Sequence, residues 1–282
     1  MPANPHNGIE NNLPQRGLLV AVCSAKGGIG RTVLTANLAA ALSSKVKTCI
    51  VDGCFQFGDI HLALDLQPMF SIKDVIEQIE TIDAESLWHY LNRHDSGVRI
   101  LTAPPRPEYA DLVTVEVLDK IIGLLQSKFH HILVDTMSGL PEHTLYFIEK
   151  ADNILLMTDL EMATLKNTKM MLDVLTTLDL RHKVHVVVNR STMQSVINAS
   201  DVPQILGEES IIYIPNDFEL VSKSLNIGLP FVMKNRRADI AKTILTMAEQ
   251  CCSMKAANIY EPRNISFVQS FFNKFKKQKV RA

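Results

Sequence analysis

The sequence has almost no net charge, few cysteines and no long apolar segment. Its 282 residues include 29 lysines and arginines and 30 acidic residues, a formal net charge of −1, so no overall field attracts nucleic acid or an anionic surface. The five cysteines are odd in number and lack CxxC spacing, which argues against a disulfide framework or a zinc ribbon and indicates a reducing cytoplasm. No apolar run approaches the ~20 residues that a membrane-spanning helix needs.

Short apolar segments alternate with helical patterns along the chain. Seven segments are almost continuously apolar, as expected of strands buried on both faces; they cover 18–24, 46–52, 98–103, 130–135, 153–158, 183–189 and 210–215. Helical patterns lie near 31–43, 71–79, 114–128, 141–151, 161–179, 217–226 and 236–253. This alternation predicts an α/β fold with a doubly wound, mostly parallel sheet that is flanked by helices.

A glycine-rich turn follows the first predicted strand, in the stretch SAKGGIGRTVLTANLA that begins at Ser24. A strand, a glycine loop and a helix form the context that a phosphate-binding loop needs, because backbone N–H groups and the helix N-terminus hold the anion together. Gly27, Gly28 and Gly30 let the backbone close around phosphates, and Thr32 is placed to bind Mg²⁺. The alternative is a glycine-rich turn without a ligand, and the added lysine and threonine argue against it.

The segment KGGIGRT, residues 26–32, resembles the deviant Walker A motif KGGxGK[ST] of the MinD/ParA family of P-loop ATPases. In that family the early lysine, here Lys26, reaches the phosphates of the partner subunit in a nucleotide-sandwich dimer. The resemblance therefore implies ATP and Mg²⁺ as ligands and a homodimer as the working form. The nucleotide-binding residues that it implies in this segment are Lys26, Gly27, Gly28, Ile29, Gly30, Arg31, Thr32 and Val33.

Further family motifs occur in the same order along residues 17–253. Asp135, at the end of HHILVD, matches the Walker B aspartate, so Thr32 and Asp135 are the implied metal-binding residues. Asn189 in VVVNR matches the asparagine that recognises adenine. The turn beside the base is matched by Ile214, Pro215 and Asp217. The implied catalytic residues are Lys26 and Asp52.

The segment VDGCFQFGD, residues 51–59, resembles a motif of the CpaE/TadZ branch of this family. That branch carries VDxDxQFGD, and Gln56, Phe57, Gly58 and Asp59 are the shared residues that distinguish it within the family. The resemblance implies a protein that positions Tad (Flp) pilus or secretion components. It also implies a cytoplasmic location, peripheral at the inner membrane and at the cell pole.

Two residues depart from the family pattern. Arg31 stands in place of the lysine that contacts the β- and γ-phosphates, and Cys54 replaces the second aspartate of a DxD motif. Arginine keeps the positive charge but is bulkier than an ammonium group. In the family the second aspartate prepares the attacking water, and loss of a general base costs about 10²–10⁴ in rate. We expect ATP binding with very slow hydrolysis.

The last segment, ISFVQSFFNKFKKQKVRA (265–282), combines phenylalanines with basic residues. At 100° per residue the apolar side chains fall within an arc of roughly 160°, with lysines opposite. This pattern is typical of a helix that lies on an anionic membrane, and it resembles the C-terminal targeting helix of MinD. The alternative is a terminal helix that packs on the domain or forms dimer contacts.

Three regions are therefore expected: a flexible tail (1–16), a MinD/ParA-like ATPase domain (17–255) and a basic amphipathic segment (256–282). The tail lacks the basic and apolar regions of a signal peptide. The favoured function is an ATP-binding, slowly hydrolysing dimeric scaffold that positions pilus machinery. A DNA-partitioning ATPase of the ParA type and a metabolic ATP-dependent enzyme are the alternatives. Nucleic acid is not an expected partner, because no basic DNA-binding surface is evident.

Overall fold

The computed structural model describes residues 16–253. Within this range lie eight strands, β1 (Leu18–Ser24), β2 (Thr48–Asp52), β3 (Asn92–Arg93), β4 (Arg99–Leu101), β5 (His131–Asp135), β6 (Asn153–Thr158), β7 (Val184–Val188) and β8 (Ile211–Tyr213). They form one sheet in the order β3-β4-β2-β5-β1-β6-β7-β8. β3 is antiparallel to β4, and all other neighbours are parallel. The predicted α/β fold with a mostly parallel sheet is confirmed.

Helices cover both faces of this sheet. They are α1 (Arg31–Ser43), α2 (Ile60–Ala63), α3 (Ile72–Ile76), α4 (Ala84–Tyr90), α5 (Val115–Gln126), α6 (Glu142–Lys150), α7 (Met162–Thr177), α8 (Val202–Leu206), α9 (Phe218–Ile227), α10 (Phe231–Lys234) and α11 (Asp239–Ser253). Each predicted helix and strand is present, although α3 ends earlier than predicted. β3, α2, α4, α8 and α10 were not predicted, since elements of two to seven residues are too short to show a period.

Two hydrophobic layers enclose the sheet, and β1 contributes to both. Leu19, Ala21 and Cys23 belong to the layer beneath α5, α6 and α7. Val20 and Val22 belong to the opposite layer, with α1 and α11. Burial on both faces explains why this strand is continuously apolar. Each fully buried large apolar side chain stabilises the fold by about 1.5–3 kcal/mol.

The sheet order places the glycine loop in a crevice. β1 lies between β5 and β6. The chain continues from β1 to β2 on one side of β1, and later from β5 to β6, which lies on the other side, so the connections diverge at this point. Ligands of open α/β sheets bind at such a switch point, beyond the carboxyl ends of the strands. Asp52 of β2 and Asp135 of β5 are register partners, and both therefore lie at this end of the sheet.

The two terminal regions lie largely outside the described residues. Residues 1–15 of the predicted tail and residues 254–282, with the amphipathic segment, belong to them. Their predicted roles stay predictions. Between residues 16 and 253 no helix has both the length and the apolar content to span a membrane.

Candidate nucleotide-binding site

The glycine loop joins the end of β1 to the start of α1. Gly28 and Gly30 adopt positive φ angles of 76° and 95°, a region that side-chain-bearing residues rarely enter. Gly30 is also the residue before the first turn of α1, and no side chain caps this helix end. Uncapped amides at a helix N-terminus are hydrogen-bond donors for an anion. The loop therefore fits the phosphates of a nucleotide.

A cleft of about 510 Å³ begins at this loop and extends to the ends of β7 and β8. The predicted nucleotide-binding residues that line it are Gly28, Ile29, Gly30, Arg31, Thr32, Val33, Asn189, Pro215 and Asp217. The cleft thus joins the phosphate loop to the two segments predicted to hold the base. Gly27 and Lys26 do not line it. The partly exposed Lys26 instead places its Nζ 3.9 Å from Oε2 of Glu161.

Asn189 connects the predicted base site to the loop. Its Nδ2 donates to the carbonyl oxygen of Ile29 at 2.7 Å, and its Oδ1 accepts from the backbone N–H of Arg190 at 2.9 Å. A Cβ atom at Gly30 would lie 2.7 Å from Nδ2 of Asn189. Asp217 caps α9 by accepting from the N–H of Leu220 at 3.1 Å. Both polar groups are therefore held in place by the fold.

Thr32 and Asp135, the predicted metal residues, are in direct contact. The Thr32 hydroxyl donates to Oδ2 of Asp135 at 2.7 Å. Burial raises the pKa of Asp135 to about 6, while the Thr32 hydrogen bond and the charge of Arg31 oppose the rise. Its Oδ1 is buried and has no hydrogen-bond partner among the described residues. A free carboxylate oxygen beside a hydroxyl fits Mg²⁺, which uses one or two carboxylates, waters and substrate phosphates as ligands.

Arg31 is turned beneath the loop rather than out of it. Its Nη1 donates to Oγ of Ser24 at 2.6 Å and to the carbonyl oxygen of Lys26 at 3.4 Å. Its Nε lies 4.0 Å from Oδ1 of Asp135. The positive charge expected to face phosphate is thus paired within the protein.

Asp52, a predicted catalytic residue, is buried and does not line the cleft. It accepts hydrogen bonds from the backbone N–H groups of Cys54 at 3.2 Å and Ile60 at 3.3 Å. Burial, and after it the neighbouring Asp135, raises the pKa of Asp52 to about 8. The side chain therefore holds the loop between β2 and α2, and burial favours its neutral form. A catalytic role for Asp52 and for Lys26 stays a prediction.

Cys54 directs its thiol away from the cleft. Sγ lies 3.3 Å from the carbonyl oxygen of Thr136. Burial, and after it the carboxylates of Asp135 and Asp52, raises the pKa of this thiol. The thiol is therefore neutral and cannot act as a general base.

Asp59 is a cleft residue that the sequence identified only as part of a family motif. Its side chain is exposed and lines the cleft together with Thr32. Asn216 and Phe218 also line the cleft and were not predicted. Their position in the sequence, next to the predicted residues Pro215 and Asp217, could have identified them as cleft residues.

Proteins with similar sequences include septum site-determining proteins. No protein-family model matches the chain. MinD of Synechocystis sp. is 26% identical over 226 residues, which are 77% of this chain and 83% of that protein. MinD of Thermotoga maritima is 24% identical over 245 residues, 83% of this chain and 88% of that protein.

Solved structures share the fold. A ParA family ATPase from Chlorobium tepidum TLS has a TM-score of 0.76 at 20% identity, covering 83% of this chain and 98% of that one. MinD of Pyrococcus horikoshii, complexed with Mg-ADP, has a TM-score of 0.73 at 22% identity, covering 86% and 100%. This chain therefore shares the fold of these ParA and MinD structures, and its sequence is similar to that of MinD proteins.

Proposed function

We propose that this MinD/ParA-like chain is an ATP- and Mg²⁺-binding dimer that hydrolyses ATP slowly and positions other proteins. The observation that carries the proposal is the cleft. It is lined by the uncapped N-terminus of α1, by Thr32 and by Asn189. The alternative metabolic ligase and DNA-partitioning roles share this cleft, so the experiments below address them separately.

Each part of the nucleotide has a matching group in the proposed complex. The loop amides hold the phosphates, and Thr32 with Oδ1 of Asp135 holds Mg²⁺. Asn189 and the Pro215–Asp217 turn hold the base. Mg²⁺ supplies charge stabilisation during phosphoryl transfer. Slow turnover follows because the Cys54 thiol is a poor general base and Asp52 is buried outside the lining of the cleft.

Calorimetry with Mg·ATP tests the binding step. We expect a micromolar to sub-millimolar Kd, about −5 to −8 kcal/mol. Gly30→Ala should abolish binding, because its Cβ would lie 2.7 Å from Nδ2 of Asn189. Gly97→Ala is the matched control, since Gly97 has a φ of 93° and an open environment and does not line the cleft. Failure of wild type and Gly97→Ala to bind ATP would refute the function.

Lys26 is the proposed dimer contact. Its side chain is 39% exposed, and its ion-pair partner among the described residues is the exposed Glu161 at 3.9 Å, a pair worth at most about 1 kcal/mol. It is therefore available to cross to the phosphates of a second subunit. Sedimentation velocity should show ATP-linked dimers in wild type and mainly monomers in Lys26→Ala. Equal dimerisation of both proteins, with and without ATP, would contradict the sandwich arrangement.

The pilus-positioning role rests on the segment from Gln56 to Asp59 and on the C-terminal segment. Phe57 is 76% exposed beside the cleft, as suits a contact with a partner protein. The basic residues of 265–282 would each add about 1 kcal/mol near an anionic membrane.

Pelleting with anionic liposomes, and separately with nonspecific DNA, discriminates among the candidate functions. We expect ATP-dependent pelleting with liposomes and none with DNA. A chain truncated after Pro262 should lose the liposome signal. Binding to DNA would favour the partitioning alternative. Binding to neither would favour a metabolic enzyme.

A further inference from the structure

The guanidinium of Arg31 occupies the interior of the phosphate loop. The side chain is 14% exposed, and its only carboxylate neighbour among the described ion pairs is Asp135, which is 2% exposed. Nη1 contacts Ser24 Oγ at 2.6 Å and the Lys26 carbonyl oxygen at 3.4 Å. The Ser24 hydroxyl in turn donates to that same carbonyl oxygen. One side chain thus ties the end of β1 to the middle of the loop.

Two buried atoms of opposite charge face each other here. Nε of Arg31 and Oδ1 of Asp135 lie 4.0 Å apart, and neither has a hydrogen-bond partner in the part of the chain that the structure describes. The other oxygen of Asp135 accepts from Thr32. The guanidinium of Arg31 therefore lies next to Oδ1 of Asp135, the oxygen that would bind a metal ion.

Lysine could not make the same set of contacts. A guanidinium is a planar fork that donates in several directions and is always charged. At position 31 it reaches the loop interior with Nη1 and Asp135 with Nε at once. The ammonium group of a lysine at position 31 is a single point charge. It could form an ion pair with Asp135 or hydrogen bonds within the loop, but not both at once.

We propose that Arg31 serves as the resident cation of this site, so that the chain binds ATP with little dependence on a divalent metal. The inference deepens the proposed nucleotide binding and rests on it. The site therefore binds metal-free ATP as well as Mg·ATP. Without a metal ion, Arg31 already pairs with Asp135 and already holds the loop through its hydrogen bonds. Mg²⁺ can still bind with the phosphates, but its contribution to affinity is small.

The test is ATP affinity in excess Mg²⁺ and in excess EDTA, measured by calorimetry. For wild type we expect the two Kd values to agree within about threefold, whereas Arg31→Lys should bind at least about tenfold more weakly in EDTA than in Mg²⁺. Arg99→Lys is the matched control. Arg99 is also partly buried and donates to a backbone carbonyl, that of Leu91 at 3.2 Å, but it does not line the cleft. Its metal dependence should equal that of wild type.

Each outcome decides the proposal. Wild-type affinity that collapses in EDTA overturns it, even if Arg31→Lys fails to fold. Equal metal tolerance of wild type and Arg31→Lys also overturns it, because Arg31 would then not be the cause. Absence of ATP binding in both conditions, by folded wild type, refutes the proposed nucleotide binding itself.

Discussion

The thiol of Cys54 lies 3.3 Å from the carbonyl oxygen of Thr136, and Cys54 does not line the cleft. A carboxylate at this position would be largely buried and would face carbonyl oxygens, and it would lie near Asp135, whose charge adds to burial in raising the pKa of the thiol. The surroundings of Cys54 therefore favour a neutral side chain over a charged one.

Replacing Cys54 with aspartate should destabilise the protein. We expect Cys54→Asp to lower the free energy of unfolding by about 3 kcal/mol, because the new charge would be largely buried beside the carboxylate of Asp135. Cys54→Ser keeps a neutral donor and should change it by less than about 1 kcal/mol. Urea unfolding at neutral pH measures both. If Cys54→Asp is as stable as Cys54→Ser, the thiol does not face those carbonyl oxygens in solution.

Slow hydrolysis should depend on Asp59. Among the described residues that line the cleft, Asp59 and Asp217 carry the carboxylates, and Asp217 is engaged in capping α9. Asp59→Asn should lower the residual kcat by about tenfold or more, since it removes the available general base. Its Kd for ATP should stay within about twofold of wild type. An unchanged kcat would exclude Asp59 from the reaction.

Gly58 makes room for the buried carboxyl of Asp52. A Cβ atom at Gly58 would overlap Oδ2 of Asp52 and lie 2.5 Å from Cβ of Ala103. Gly58→Ala should therefore cost about 1–3 kcal/mol of stability through overpacking. Gly123 lies inside α5, where a Cβ atom meets nothing within 4 Å. Gly123→Ala should instead stabilise the protein by about 0.5–1 kcal/mol. Urea unfolding that ranks the two variants in the opposite order would contradict this packing.

His131 anchors α11 to the start of β5, and this contact should depend on pH. Its Nε2 lies 3.2 Å from the carbonyl oxygen of Cys251. Burial lowers the pKa of His131 below its ordinary value, the hydrogen bond to Cys251 opposes this, and the charge of His130 adds to it. The unfolded chain therefore takes up the proton first as pH falls, and the stabilisation is lost below about pH 6.5.

A comparison of variants isolates this effect from other titrations. The Tm advantage of wild type over His131→Gln should be largest above about pH 7 and should shrink towards pH ~5. His182 is exposed, and His182→Gln should show no such pH-dependent difference. A constant gap between wild type and His131→Gln across this range would show that His131 is not buried in its neutral form.

Local patterns in the sequence were enough to predict the architecture of the site. Strands buried on both faces are continuously apolar, so β1, β5 and β7 could be located without contacts. The parallel sheet then brings the ends of these strands together. Thr32 and Asp135, 103 residues apart, were assigned to one site from the family motifs, and the parallel sheet explains why they meet.

Only the tertiary structure decided where the side chains of the loop point. The sequence shows that Arg31 and Cys54 depart from a motif, but their hydrogen-bond partners come from separate strands and from backbone carbonyls. The directions of these two side chains depend on which hydrogen-bond partners are within reach, because buried polar groups must be hydrogen-bonded. The raised pKa of Asp52 likewise arises from burial beside Asp135, since desolvation depends on atoms that a sequence pattern does not place.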